Sequence, residues 1–267
     1  MSKDINSGKN LTSIELGPQA KGFVSFFPED PSLNRVIKDF RYGYIRASSF
    51  FKKKIPKVKL TLVYSREEMN NLTGHKTASW FVGYADSSSK IFIFSPSVFD
   101  RESDHSKKDF RKVLCHEICH LFIRQIHNSY EPVWLEEGLA YYVAGQKSRL
   151  KNSNPIFNNP EAIFLIDTRN RWNKTIGSQP DVPYALAFLL VDFLIRCYSK
   201  DRVIKLLISL EGRYNKKRFC QKFRKIYGED IKLILKEFFS RQNIKQKGGE
   251  KYASNRTREN TWSRCCQ

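Results

Sequence analysis

Apolar residues recur at three- and four-residue spacing in some stretches of the chain and alternate in others, and these two periods divide it into elements. Leu33, Val36, Ile37, Phe40 and Tyr44 make one apolar stripe. With Pro31 suited to a first turn, they predict a helix over 31–51, ended by Lys52-Lys53-Lys54 and Pro56. Residues 58–63 alternate and are rich in β-formers, so they predict a strand. Two further extended runs come next, Trp80-Phe81-Val82 leading into Gly83 and then Ile91-Phe92-Ile93-Phe94. Ser87-Ser88-Ser89 between them reads as a turn, which predicts a hairpin. Ser106 with Asp109 three residues on has the form of a capping box. Phe110, Val113, Leu114, Ile118, Leu121 and Phe122 then repeat at helical spacing to about Gln125.

Pro132 opens another predicted helix over 133–144, stopped by Gly145. The stretch 146–182 is polar, carries Asn-Pro pairs at 154–155 and 159–160, and is expected to be mostly irregular. Helical spacing returns from Tyr184, with helices expected at about 184–198, 201–211, 215–226 and 230–241. The expected organisation is a flexible lead-in over 1–20, a core over 21–145, a loop and helical subdomain over 146–242 and a disordered basic tail over 243–267. No apolar run reaches the ~18 residues of a membrane-spanning helix. The first residues lack the apolar core of a signal peptide, so the expected location is cytoplasmic, with peripheral membrane association left open. Six cysteines in 267 residues are too few for a disulfide scaffold and fit a reducing compartment.

Charge adds a partner class to this picture. The chain has 47 Lys+Arg against 27 Asp+Glu, a formal net charge of +20. From Lys200 onward there are 19 basic and 7 acidic residues, so most of the excess lies in the last quarter. Such a field attracts a polyanion, either nucleic acid or anionic lipid, while a plain lysine-rich solvated surface is the competing reading. The aromatic content of 13% argues against general disorder.

The predicted helix from Ser106 carries His116-Glu117-Ile118-Cys119-His120. Residues four apart share a helix face, so both imidazoles can reach one metal ion. Zinc takes imidazole nitrogen at about 2.0–2.1 Å, and a catalytic site needs three protein ligands and an open position. Glu117, next to the first histidine, is placed to reach a water rather than the metal and to act as general base and then acid. His127, seven residues after His120, does not fit the metzincin arrangement, which needs an intervening glycine and a histidine six residues on. Glu136 and Glu137 on the next predicted helix are the candidates for a third ligand. Cys115 and Cys119 point about 100° around the helix from the ligand face and read as small buried hydrophobes.

The segment Trp134-Leu135-Glu136-Glu137-Gly138-Leu139-Ala140 after the H-E-x-x-H helix resembles the peptidase MA-like domain family, related to the gluzincin peptidases of the thermolysin and zinc-aminopeptidase clan. The resemblance implies one zinc ion held by His116, His120 and Glu137, with Glu136 a neighbour rather than a ligand. Upstream, Trp80-Phe81-Val82-Gly83-Tyr84-Ala85 and Lys90 to Phe94 resemble the family's hairpin. It implies that Ile91, Phe92, Ile93 and Phe94 form an edge strand that pairs with an extended peptide. Downstream, Pro183-Tyr184-Ala185-Leu186-Ala187 resembles a segment in which Tyr184 donates to the oxyanion. Thermolysin-like enzymes have an Asp four residues after the glutamate ligand. This chain has Tyr141 there, which leaves the group that orients the metal histidines unassigned.

The expected fold is α+β and zincin-like, a small mixed sheet with an edge strand on the metal-bearing helix, followed by a mainly helical second half with a cleft between. Two functions compete. One is a zinc-dependent metallopeptidase acting on peptide or protein, with an endopeptidase marginally favoured. The other is a basic protein on a catalytically idle zincin scaffold, binding nucleic acid or anionic membrane through residues such as Lys216, Lys217, Arg218, Lys222, Arg224 and Lys225. The terminal Cys265-Cys266-Gln267 lacks the spacing of a prenylation box, and reads as exposed thiols or acylation sites.

Overall fold

The computed structural model describes residues 8–127, 131–146, 159, 161–178 and 181–252, with side chains as far as residue 241. The chain divides into two compact units. One contains the chain up to Ile126 together with Ala140–Gln146, and the other contains His127–Leu139 and the chain from Lys147 onward. The fold is α+β, with a small mixed sheet in the first unit and helices in the second.

In the first unit, β1 (Asn10–Gly17), β2 (Ala20–Phe26), β3 (Lys57–Val63), β4 (Gly83–Ala85) and β5 (Lys90–Phe94) form one sheet in the order β1-β2-β3-β5-β4. The β2–β3 and β3–β5 pairs are parallel, and the two outer pairs are antiparallel. Alternation decides which face packs. Val24, Leu60, Leu62, Ile91 and Ile93 are fully buried, while Lys21, Lys57 and Lys59 on the opposite face are exposed. Against the buried face lie α1 (Leu33–Phe51) and α4 (Phe110–Ile126). These helices meet at Gly43, where a Cβ would come within 2.7 Å of Ile118 Cδ1 and 3.1 Å of Cys115 Cα. A larger residue there would push α4 away from α1. Arg111 on α4 reaches across to the buried Asp39 on α1, 2.5 Å from its Oδ1.

Asp30, just before α1, ties several strand ends together. Its carboxylate accepts from Ser32 N and Oγ at 2.8 and 2.7 Å, from Tyr64 Oη at 2.8 Å, and from Ser95 Oγ. Burial alone would raise this carboxyl, but the Ser32, Ser95 and Tyr64 hydrogen bonds outweigh it and hold Asp30 below the usual range. Two short helices complete this part of the unit, α2 (Arg66–Thr73) and α3 (Phe99–Glu102). Ser65 caps α2 by accepting from Glu68 N, and Gly74 closes it in the left-handed conformation.

Helix α5 (Val133–Ala144) begins in the second unit and ends in the first. The second unit also holds α6 (Arg169–Ser178), α7 (Asp181–Tyr198), α8 (Lys200–Ser209), α9 (Lys216–Tyr227) and α10 (Ile231–Tyr252). Its core includes Trp134, packed edge-on against Phe219 at 6.1 Å, with Phe223, Leu194, Leu206 and Phe238 fully buried. Asp167 is fully buried yet satisfied, accepting from Arg171 Nη1 and Tyr214 Oη, each at 2.9 Å. The same residue's carbonyl accepts from Val133 N at 2.8 Å and so fixes the start of α5. Gly138 permits a close approach to α7, where a Cβ would meet Ala187 O at 2.4 Å and Val191 Cγ2 at 2.6 Å.

Several expectations need correction. The lead-in over 1–20 contains β1 and the start of β2 in its described part, where Ile14 and Leu16 alternate inward. The first hairpin strand lies at 83–85 rather than 80–82. Strand β5 is not an edge. It pairs with β3 on one side and β4 on the other, so Ile91, Phe92, Ile93 and Phe94 have neighbours on both sides, and the outer strand is β4. The stretch 146–182 contains α6 and a 3-10 turn over Ala162–Leu165 in its described residues. The tail expected to be disordered from 243 is helical to Tyr252, while Cys265 and Cys266 lie outside the described residues. Among the described residues no single helix is long and apolar enough to cross a membrane.

Candidate metal centre

Ser106 begins the site's main element, accepting a hydrogen bond from Lys108 N in a 3-10 turn that leads into α4. From there α4 is buried on nearly every side from Val113 to Ile123, as its mostly apolar sequence requires. A polar cluster in such a helix costs free energy unless its groups find partners. His116 and His120, one turn apart, turn to each other with Nε2 atoms 3.0 Å apart and rings nearly perpendicular. The outer nitrogen of His116, Nδ1, is 3.0 Å from Gln146 Oε1. An N–H on Nδ1 leaves Nε2 with its lone pair directed inward, the tautomer a metal ligand requires.

The third member is Glu137 on α5. Ligand-capable atoms of His116, His120 and Glu137 all lie within 4.8 Å of one another, and all three residues are buried. The second half of α5 is anchored beside α4 and α1 within the first unit. Tyr141 packs edge-on to His116 at 5.2 Å, Arg46 donates to Val143 O, and Phe50 packs against Tyr142 at 6.0 Å. Within the second unit, Arg169 Nη1 lies 4.0 Å from Glu137 Oε1. A guanidinium there favours the ionised carboxylate.

The donor set fits zinc. Two nitrogens at about 2.0–2.1 Å from one zinc, at the tetrahedral angle, stand about 3.3 Å apart. The histidine pair, with its Nε2 atoms 3.0 Å apart, needs only a small opening to reach that spacing. Two imidazoles and one carboxylate are three protein ligands, the number that leaves one tetrahedral position open. Glu117 is buried on the same helix, and so is Glu136 on α5. Cys115 and Cys119 are buried free thiols, and burial pushes Cys119 well above its ordinary range, which keeps it a protonated thiol and a poor ligand.

Tyr184, the expected oxyanion donor, lies in α7, in the helix's first turns rather than at its start, with its ring edge-on to Trp172 at 5.1 Å. His127 has Nε2 3.0 Å from Glu131 O. His75 is exposed, its Nδ1 3.0 Å from its neighbour Thr73's carbonyl. Two residues at the site carry no signal in the sequence, Gln146 and Arg169. Gln146 comes after the helix-ending Gly145, and Arg169 sits in the stretch that reads as irregular, so neither stands in a recognisable motif position.

The strand nearest α4 is β4. Asp86 N donates to Lys90 O and Phe94 N donates to Val82 O. Antiparallel pairing alternates, so the backbone groups of Tyr84 also face β5, and those of Gly83 and Ala85 face outward. Arg124, one turn beyond His120 on α4, donates to the outward carbonyl of Ala85.

A family model described as the peptidase MA superfamily matches residues 101–241, more than half of the chain. No curated protein matches it.

Proposed function

The chain belongs to the peptidase MA superfamily, and from that premise we propose that it is a zinc-dependent metallopeptidase of the gluzincin type, hydrolysing peptide bonds in a peptide or protein substrate. The observation that carries this reading is the buried convergence of His116, His120 and Glu137. His116 and His120 supply neutral imidazole nitrogens, and Glu137 supplies the carboxylate. Gln146 lies at the Nδ1 of His116, on the side away from His120, and Arg169 sets a guanidinium beside Glu137. When bound, zinc supplies Lewis acidity that makes water nucleophilic at neutral pH.

The chain's own residues handle the protons. Glu117 takes one from the attacking water, and its carboxylic acid then hands it to the departing amine as the C–N bond breaks. Tyr184 donates its hydroxyl to the oxyanion that develops on the substrate carbonyl. The outward backbone groups of Gly83 and the outward N–H of Ala85 on β4, whose carbonyl already accepts from Arg124, pair with an extended substrate, which supports an endopeptidase because main-chain pairing needs no free terminus.

The test compares wild type with Glu117→Gln, measuring zinc by elemental analysis and cleavage against a peptide library. One zinc per chain in both proteins is expected, with cleavage by the variant lower by about 10²–10⁴-fold. Equal cleavage by both would sink the role of Glu117, and a wild type that takes up no zinc after reconstitution would sink the whole assignment.

A further inference from the structure

Strand β4 has three residues, and its outer side is where the proposed substrate would pair. A strand so short, held by few ladder bonds, frays unless something outside the ladder fixes it. At its far end Arg124 holds the Ala85 carbonyl, and at its entry the largest share of the support comes from one side chain. Arg66, the first residue of α2, donates through Nη1 to Phe81 O at 2.7 Å, Ala78 O at 2.9 Å and Thr77 Oγ1 at 3.1 Å. Through Nη2 it donates to Ser79 O at 3.2 Å and to Glu102 O. Its guanidinium lies over the buried Phe94 ring, 4.6 Å from the centroid.

The rest of the segment is pinned in the same sense. Asn70, one turn along α2, accepts from Thr77 N at 2.7 Å and from Thr77 Oγ1 at 2.8 Å. Ser79 Oγ donates to Asp104 Oδ2 at 2.5 Å, and Asp104 N donates back to Ser79 O at 3.2 Å. All of these bonds act on residues 77–81, immediately before β4, and none occupies the strand's outer side. Arg66 collects carbonyls that a lysine, a point charge without a planar fork, cannot bridge together.

We infer that Arg66 is a positioning residue for substrate. Through residues 77–81 it fixes the entry of β4 and so where Gly83 presents its outward backbone groups, while Arg124 holds the far end of the strand at the Ala85 carbonyl, so that the ordering of the edge is complete before a peptide arrives. The inference rests on the proposed function, and specifically on β4 as the strand that pairs with substrate. A pre-ordered edge lowers the cost of binding and leaves proton transfer untouched.

The test uses full-length Arg66→Lys and Arg66→Met beside wild type, with an unstructured ten-residue peptide that wild type cleaves. In Arg66→Lys, KM is expected to rise about tenfold while kcat changes less than about twofold, a pattern of lost uniform binding. Zinc stoichiometry and the pH profile of kcat should match wild type. Amide exchange of residues 81–85 should speed up about tenfold in the absence of peptide, a readout independent of activity. Should Arg66→Met fail to fold, Arg66→Lys alone decides the matter. Unchanged KM and unchanged exchange in Arg66→Lys would overturn the inference, and so would a fall confined to kcat. A wild type with zinc that cleaves no peptide would overturn the proposed function itself, and the substrate role of Arg66 with it.

Discussion

Two single residues show how local bonds set chemistry in this chain. Gln146 touches His116 at Nδ1, the nitrogen that is not turned toward His120, and an acceptor there favours the tautomer with its proton on Nδ1. Replacing Gln146 by Ala should weaken zinc affinity about 10–100-fold, read by competition with a chromogenic chelator, with secondary structure by circular dichroism unchanged. Asp30 acts on stability instead. Its folded pKa lies below its unfolded value, so its contribution is complete above the unfolded value near 4 and fades as pH falls through the lowered folded one. Asp30→Asn should therefore cost about 2 kcal/mol at pH 7 in urea unfolding, and the gap to wild type should close under acid conditions. Neither role stands out in the sequence. The partners Ser32, Tyr64 and Ser95 reach Asp30 only after distant segments have packed.

At the scale of elements, helix approach explains a glycine that propensity alone would remove. Gly138 sits inside α5, where Ala would ordinarily gain about 1 kcal/mol. Here the added methyl would meet Ala187 O and Val191 on α7 at less than van der Waals distance. Gly138→Ala should instead destabilise by about 1–3 kcal/mol, shown by a lower melting temperature, and should weaken zinc uptake because Glu137 is the adjacent residue. The long periodic elements were legible from spacing alone. Helix α5 has the expected limits, α1 and α4 differ from expectation by a few residues, and β3 and β5 fall where β-formers alternate. The elements that stayed hidden were set by pairing. Residues 10–17 are polar enough to pass for a loose lead-in, yet they form β1 because β2 offers them a partner. Strand order is likewise a tertiary matter, which is why β5, read as an edge, proves to be inner and β4 takes the edge. The grouping of His116 with His120 was legible because H-E-x-x-H carries its spacing within one helix, whereas spacing left Glu136 and Glu137 open and only the family resemblance singled out Glu137, the one that clusters with the histidines.

For the whole molecule, a metal that binds only the folded chain couples function to stability. With free zinc at about 1,000 times Kd, folding should gain about 4 kcal/mol. Melting temperature should fall on chelation in wild type and stay unaltered by chelator in His120→Asn, which differential scanning calorimetry can follow. The formal charge of +20 acts at this scale as well, because mutual repulsion between copies opposes association at low ionic strength. Salt weakens that protection and leaves the far edge of the sheet to govern association. Strand β1 is eight residues long and has β2 on one side only, with Leu11 projecting 68% exposed. The register shift between Glu15 and Gly17 bends its final residues out of line, so a flat template for sheet growth runs no further than Asn10 to Glu15. In concentrated, high-salt solution, fibrillar aggregation that begins from the native chain starts along that stretch, and a proline at Leu11 is the substitution that shields it.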